Sequence, residues 1–481
     1  MLQSPQPMPI KTVLTPLINE IATFPDRIIL ILDDYHVLEA SQVDDILAFL
    51  LENLPPHFHL VFATREDPHL PLARLRASNQ LSELRVTNLR FFYSEAAEFL
   101  NQTMGLNLSV EDITLLETRT EGWIVGLQLA AISLQGQESV TNIIKSFSGS
   151  HRLVLDYLIE EVLSQQSENI QTFLLQTAIL DRFNDSLCDA LTGQDNGREN
   201  LELLEHANLF IIPLDEERSW YRYHHLFADL LRQRLRQIHV EQVPFLHIRA
   251  SEWFEENKFS DEAIEHALRA NGFERAAHLI EKQADTVWQS GEHGKIRSWL
   301  DKLPIELVFS KPHLSIINAW NLYFIGQMEE VEQSLHAVDK VFDSTIDKSE
   351  ETTVLELDYL HDIDKKKILG RAAAMRALLS FFHYDIPGAK KFVHQALEYL
   401  PEQDFHWRCM ALVALGDALG SSGDIPSANQ TRLKALELSK AAGNAYLVLG
   451  VSIKLAMGLK MQGQLKQALE ICQHHFQLAK S

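Results

Sequence analysis

LILDDYHVLEA, Leu30–Ala40, decides how the first part of this chain folds. From Ile28 to Leu32 branched or long apolar residues follow one another without a break, the pattern of a strand buried on both faces, and the run stops at Asp33-Asp34. Two carboxylates at such a strand end have two readings. Either they are solvated turn acids, common wherever a parallel-sheet strand ends, or they hold magnesium, a hard cation that takes carboxylate oxygens directly or through its waters and accompanies nucleotide phosphates.

Working outward, Val43–Leu54 reads as a helix stopped by Pro55-Pro56, and His59–Ala63 as a second buried strand ending in Thr64-Arg65. Ligands of doubly wound sheets gather at the carboxyl ends of the strands, so Asp33, Asp34 and Arg65 are expected on one rim. With a nucleotide present this is the Walker B arrangement, in which the first acid holds the metal and the second orients the attacking water. LDDYH, TREDPHLPLARLR, QLSELR, LRFFYSEAAEFL and TEGWIVGLQLAAISL follow in order. This combination resembles the NTPase module of the MalT-like regulators, a branch of the signal-transducing ATPases with numerous domains (STAND), many of which end in a LuxR-type DNA-binding domain. The resemblance covers most of the chain and is densest from Ile28 to Leu235. It implies that Asp33 would hold magnesium, that Asp34 would polarise water, and that Arg65 would sense a terminal phosphate.

The glycine loop of a phosphate-binding domain, G-x-x-x-x-G-K-[ST], must precede Walker B, because consecutive main-chain N–H groups and the lysine wrap the phosphates. Nothing of the kind precedes Ile28. GEHGK, Gly291–Lys295, has only two residues between its glycines and Ile296 where Ser or Thr belongs, and reads as a turn between helices. No cofactor is therefore expected of these residues alone; ATP or ADP with magnesium enters only if another segment completes the site, and ATPase activity is not expected without it.

The 43 basic and 66 acidic residues give a formal charge of -23, which repels phosphate backbones and argues against direct nucleic-acid binding. Cys188, Cys409 and Cys472 lie far apart, so neither a disulfide framework nor a zinc site is indicated, as suits a cytoplasmic protein. MLQSPQPMPI is not a signal peptide, and no apolar stretch is long enough to span a membrane.

Ser94 and Ser109 offer helix starts, and Gly122-Trp123 opens WIVGLQLAAISL, apolar nearly all round and expected to be buried with Trp123 as a packing anchor. From His151 the pattern is that of a winged helix: helices at Leu153–Leu163, Ile170–Leu180, Asp185–Leu191 and Arg198–His206, then strands Leu209–Leu214 and Trp220–Tyr223 around a turn at Asp215–Arg218. The helix before the wing, the one that would enter a DNA groove, carries Glu199, Glu202 and Glu205. An internal switching module is expected instead. In YRYHHLFADLLRQRL, Tyr221–Leu235, the resemblance makes His224 the counterpart of a histidine that contacts nucleotide phosphate. The alternative is a histidine that caps the wing or bonds a backbone carbonyl.

Beyond Gln242 the chain reads as helical pairs. DIPGAKKFVHQALEYL, GDIPSANQTRLKALEL and GQLKQALEICQHHFQL align on Ala389, Ala428 and Ala468, spaced 39 and then 40 residues apart. Small residues there let paired helices approach closely, as in a tetratricopeptide (TPR)-like solenoid. Asp343–Asp364 reads as an acidic loop between repeats. The expected fold is mostly α: a partial α/β P-loop NTPase core (1–93), a helical lid (94–150), a winged helix (151–241), a helical-pair linker (242–310) and an α-solenoid of TPR-like repeats (311–481). The expected function is the signal-sensing and interaction part of a bacterial transcriptional regulator with a degenerate nucleotide site. Its partner is expected to be an inducer, small molecule or protein, on the repeats, with self-association also open. Relative to a full regulator the chain reads as lacking the phosphate loop in front and the DNA reader behind. An ATP-dependent switch completed by another segment and a plain repeat scaffold are the alternatives.

Overall fold

The computed structural model describes residues 10–38, 41–65, 67–135, 140–149, 151–290, 292–344 and 362–478. It divides into two compact units, one ending at Arg249 and one beginning at Ala250. Helices dominate both. No described helix is long and apolar enough to cross a membrane.

The first unit opens with α1 (Ile10–Ile21), which the sequence reading left unassigned, followed by β1 (Ile28–Leu32), α2 (Ser41–Asn53) and β2 (Phe58–Phe62). The strands pair in parallel, Ile28 opposite Phe58 through Leu32 opposite Phe62, with α2 as the crossover. A small core of Ile18, Tyr35, Leu47 and Leu50 holds this layer together. Two expectations need correction. The second strand begins one residue earlier than read, although Ala63 still bonds to both neighbours of the Asp33-Asp34 turn, its N–H to Leu32 O at 2.9 Å and its carbonyl to Tyr35 N at 3.1 Å. And β1 is not buried on both faces: Ile29 is 55% exposed and Ile31 64%, because β2 is its one neighbour among the described residues. Apolar strand composition reports what a strand can bury, whereas burial itself depends on the layers around it.

After the short helices α3 (Leu72–Ala77) and α4 (Val86–Leu89), the segment read as the lid comprises α5 (Tyr93–Ala97, continued by a π turn to Thr103), α6 (Val110–Thr120), α7 (Ile124–Leu134) and α8 (Val140–Ser146). Ser109 caps α6 as expected, accepting from Asp112 N at 3.1 Å. Ser94 does not cap α5. The helix starts before it, and Glu95 reaches back to the Phe92 N–H at 2.9 Å. In α7, Gly126, Leu127, Ala130, Ala131 and Leu134 are buried, but Gln128 and Ile132 face solvent, so this helix is covered on one side only.

The winged helix follows as α9 (Arg152–Glu161), α10 (Glu168–Thr177), α11 (Asp185–Thr192), α12 (Gly197–His206), β3 (Ile211–Pro213), β4 (Tyr221–Tyr223) and α13 (His225–Ile238). The wing is a true antiparallel pair, with Ile211 opposite Tyr223. Its turn is closed by Asp215, whose carboxylate accepts from Ser219 N at 2.7 Å and Trp220 N at 2.9 Å.

α14 (Gln242–Glu256) leads into the second unit. There α15 (Ser260–Arg269), α16 (Phe273–Gln289), α17 (His293–Leu300) and α18 (Ile305–Ser310) precede α19 (Pro312–Phe324) and α20 (Met328–Ser344), and α21 (Asp362–Phe382) to α26 (Leu465–Leu478) continue the stack. The intervening helices are α22 (Ile386–Tyr399), α23 (Phe405–Ser421), α24 (Ile425–Ala441) and α25 (Ala445–Met461). Ala389 and Ala428 are fully buried and Ala468 is nearly so, and the Cβ of Ala428 lies against Gly420 of α23. That is the close helix approach the 39-residue spacing demanded. The middle of the Asp343–Asp364 segment, 345–361, and Gly291 of the GEHGK turn lie outside the described residues.

Candidate functional site

The residues singled out in sequence fall into two groups. Asp33 and Asp34 form an exposed turn at the carboxyl end of β1, in which the Asp33 carboxylate accepts the Asp34 N–H at 3.1 Å and Asp34 takes a left-handed φ of 50°. Arg65, at the corresponding end of β2, joins them on the rim: its N–H lies 3.5 Å from His36 Nδ1. The Arg65 guanidinium turns to Glu161 of α9, at 3.5 Å from Oε2, and its carbonyl accepts from Asn208 Nδ2 at 2.9 Å. Among the described residues no group of three or more His, Cys, Asp or Glu is arranged to hold a metal.

His224 belongs to a second group, built where the lid meets the winged helix. α6 ends at Thr120, and Glu121 and Gly122 both turn left-handed, with φ of 50° and 70°. Only glycine fits the second of these, since a Cβ there would sit 2.3 Å from Phe91 O. The Thr120 carbonyl accepts from the Trp123 N–H at 2.9 Å across the reversal and, on its other side, from His224 Nε2 at 2.9 Å. A carbonyl only accepts, so Nε2 carries the proton and Nδ1 is the bare nitrogen. Nδ1 is buried without a partner, and the side chain is only 4% exposed. Trp123 and Phe210 pack edge-on against the imidazole, with centroids 6.1 and 5.6 Å away. Burial pushes the His224 pKa down to about 4, against the upward pull of Glu121 and the Thr120 bond. The ring is therefore neutral at physiological pH.

The sequence reading missed Glu121, the strongest polar anchor here. Its carboxylate accepts two parallel bonds from Arg222 at 2.8 and 2.9 Å and one from the His225 N–H at 3.0 Å, and it faces Arg90 at 3.5 Å. Burial alone would raise this acid, but the Arg222 fork, the charge His224 carries once protonated at low pH, and the His225 amide hold it at about 2. In sequence the only signal was a charged residue inside TEGW and another inside YRYHH; their pairing across 101 positions is not local information. Phe210, also left-handed at φ 54°, joins the two groups: its carbonyl accepts from His224 N at 2.8 Å, two residues after Asn208 holds Arg65. Trp123 is the anchor expected of it, touching Tyr157, Phe210 and His224.

Two of the three acids named on the helix before the wing, Glu202 and Glu205, are engaged within the protein. Glu202 pairs with Arg198 at 3.0 Å, and Glu205 pairs with Arg218 at 2.7 Å and accepts from Tyr221 Oη. The arrangement is a latch: a neutral histidine, a buried carboxylate and an aromatic cluster clamp the winged helix to the lid.

A winged helix latched to the helices before it and joined in sequence to helical repeats defines a multidomain, mostly helical class of protein. Residues 159–243 match the family of the MalT winged helix domain, and residues 370–481 that of the MalT-like TPR region. In these two regions the chain is similar to MalT. It is 29% identical over 464 residues to the HTH-type transcriptional regulator MalT of Yersinia enterocolitica, an alignment covering 96% of this chain and 50% of that protein. With MalT of Klebsiella pneumoniae it shares 28% identity over 482 residues, 100% of this chain and 52% of the relative. It is also 37% identical over 308 residues to the serine/threonine-protein kinase PknK of Mycobacterium tuberculosis, 64% of this chain and 28% of the kinase. The chain thus spans about half the length of the MalT relatives and under a third of the kinase.

Proposed function

We propose that these residues form the signal-sensing and protein-interaction part of a MalT-like transcriptional regulator of the STAND class, with a degenerate nucleotide site. The observation that carries this reading is the latch. A winged helix whose wing arginine is spent on a lid carboxylate, and whose preceding helix is acidic and internally paired, works as an internal module rather than as a DNA reader. Helical repeats supply the surface for an inducer or a protein partner.

The nucleotide chemistry of the family does not fit the residues in place. The rim offers two adjacent carboxylates without a third protein ligand among the described residues, and no glycine loop stands in the 481 residues to wrap phosphates. His224, which would meet the phosphate in the resembled family, is bonded to Thr120 and enclosed by aromatic rings. Calorimetry of the purified chain with MgATP should give no binding heat, and added DNA no mobility shift. Micromolar ATP binding that Asp33→Asn abolishes would overturn this half of the proposal. For the regulatory half, overproducing the chain in its host should change transcript levels of a defined gene set; an unchanged profile would refute it.

A second reading, an ATP-dependent switch completed by another segment or chain, is favoured by one observation: the exposed apolar side chains of β1, Ile29, Leu30 and Ile31, are suited to a covering strand or helix. Translating the coding DNA upstream of Met1 discriminates. G-x-x-x-x-G-K-[ST] in frame, with MgATP binding by the extended protein, supports the switch.

A further inference from the structure

In the second unit the last two helix pairs follow each other at a spacing of 40 residues: α23 begins at Phe405 and α25 at Ala445, α24 at Ile425 and α26 at Leu465. Residues 40 apart therefore hold equivalent places. α25 lies over Asp417, Asn429 and Arg432 of the preceding pair: Lys454 donates to the Asp417 carboxylate at 2.5 Å, and a Cβ added at Gly458 would run into Asn429 and Arg432. All three side chains are buried, none more than 8% exposed. Their equivalents on α25 and α26 are Met457, Leu469 and Cys472, and these are exposed.

The exchange of polar for apolar types runs against what a solvated face needs, because terminal repeats stay soluble by carrying a polar outer side. Tyr446, Ile453, Met457 and Met461 along α25, and Leu465 and Leu469 along α26, are each between 57% and 71% exposed. Val413 of α23, the equivalent of Ile453, is 6% exposed. Together the six side chains present on the order of 600 Å² of apolar surface, at the upper end for the largest patch of a typical monomer and close to the roughly 800 Å² that each partner gives to a standard interface.

Charge fits this face to a copy of itself. A chain of formal charge -23 repels its copies over much of its surface, but these two helices carry three lysines against one glutamate. Lys454 is paired with Asp417, and Lys460 serves the carbonyl end of α25. Lys466 and Glu470, one turn apart beside Leu465 and Leu469, remain as one charge of each sign, so an antiparallel pairing of α26 with its copy matches unlike charges. A two-fold axis lets one surface serve as both partners.

We propose that α25 and α26 form a two-fold interface through which two copies of this chain associate, which gives the self-association left open by the sequence a location. The test is sedimentation velocity on the whole chain over a wide concentration range, where a reversible monomer–dimer equilibrium is expected. Met457→Glu combined with Leu469→Glu, both at exposed positions that should leave the circular dichroism unchanged, should weaken the dimer at least roughly 100-fold, since each copy loses two apolar anchors. Ile31→Glu, on the exposed side of β1, should leave it intact. Cys472 supplies an independent readout because Cys188 and Cys409 are buried: its reaction with a maleimide should slow several-fold as the dimer forms.

A chain that stays monomeric at every concentration overturns the proposal and leaves the face to a further helical repeat or a different protein. So does a dimer that survives the double substitution, one that Ile31→Glu disperses as fully, or one in which Cys472 reacts as fast as in the monomer.

Discussion

Replacing Glu121 by glutamine keeps the shape of the latch and deletes its charge. The Glu121 carboxyl sits at about 2 instead of 4.5, and at 1.36 kcal/mol per pKa unit that difference corresponds to at most about 3 kcal/mol of stabilisation of the closed lid and winged helix, because part of it is the pull of a His224 that is charged only below about pH 4. The side chain is 8% exposed and its Arg222 partner 26%, so water screens the pair only partly. Breaking a buried pair typically destabilises by about 3–5 kcal/mol, and the partial access of Arg222 to water argues for the lower end. Because the folded pKa is depressed, the contribution is complete above the unfolded value of 4.5 and disappears as the pH falls toward 2. Hydrogen exchange read by mass spectrometry over Tyr221–Ala228 is the suitable assay, since a chain of two units need not unfold in one step. Glu121→Gln should speed exchange there by roughly 100-fold at neutral pH, the equivalent of about 3 kcal/mol. Arg222→Met should do the same, and the double variant should add little to either. A change below about threefold, or effects of the two substitutions that simply add, would refute the latch as the element that holds the winged helix to the lid.

Other consequences follow from the same geometry. His224 is held near pKa 4 by burial against an ordinary 6.5, so protons favour the opened form: closure should be fully stable above pH 6.5 and weaken as the pH falls toward 4, a slope in hydrogen exchange that His224→Gln should flatten. Gly122→Ala meets both a left-handed φ and Phe91 O and should destabilise the first unit by about 2–4 kcal/mol, whereas Gly105→Ala, left-handed in open space, should cost about 1 kcal/mol; urea denaturation compares the two. In the second unit Ala428→Leu should overpack the contact with α23 and destabilise by about 1–3 kcal/mol, seen as a thermal transition several degrees lower; an unchanged transition would contradict the close approach.

Much of the architecture was legible in the residues alone. Strand, acid turn, crossover helix and second strand were read within a residue or two at the front of the chain, and the helices and wing from His151 to Tyr223 were recovered in order. The aligned alanines of the repeats predicted buried contacts and found them. These successes share a cause. Periodicity, caps and turn chemistry act over a few residues, so a linear text records them directly.

Partnership across the fold was decided only by the tertiary structure. Nothing local marks Glu121 as the residue that Arg222 will grip, or Arg371 as the guanidinium that takes the Asp404 cap from its own helix. Nothing local says that His224 will meet the Thr120 carbonyl, 2.9 Å away and 104 positions earlier. The exposure of β1 has the same origin. A residue's type states what burial is worth to it, while the elements packed around it determine whether burial occurs and which groups lose water together.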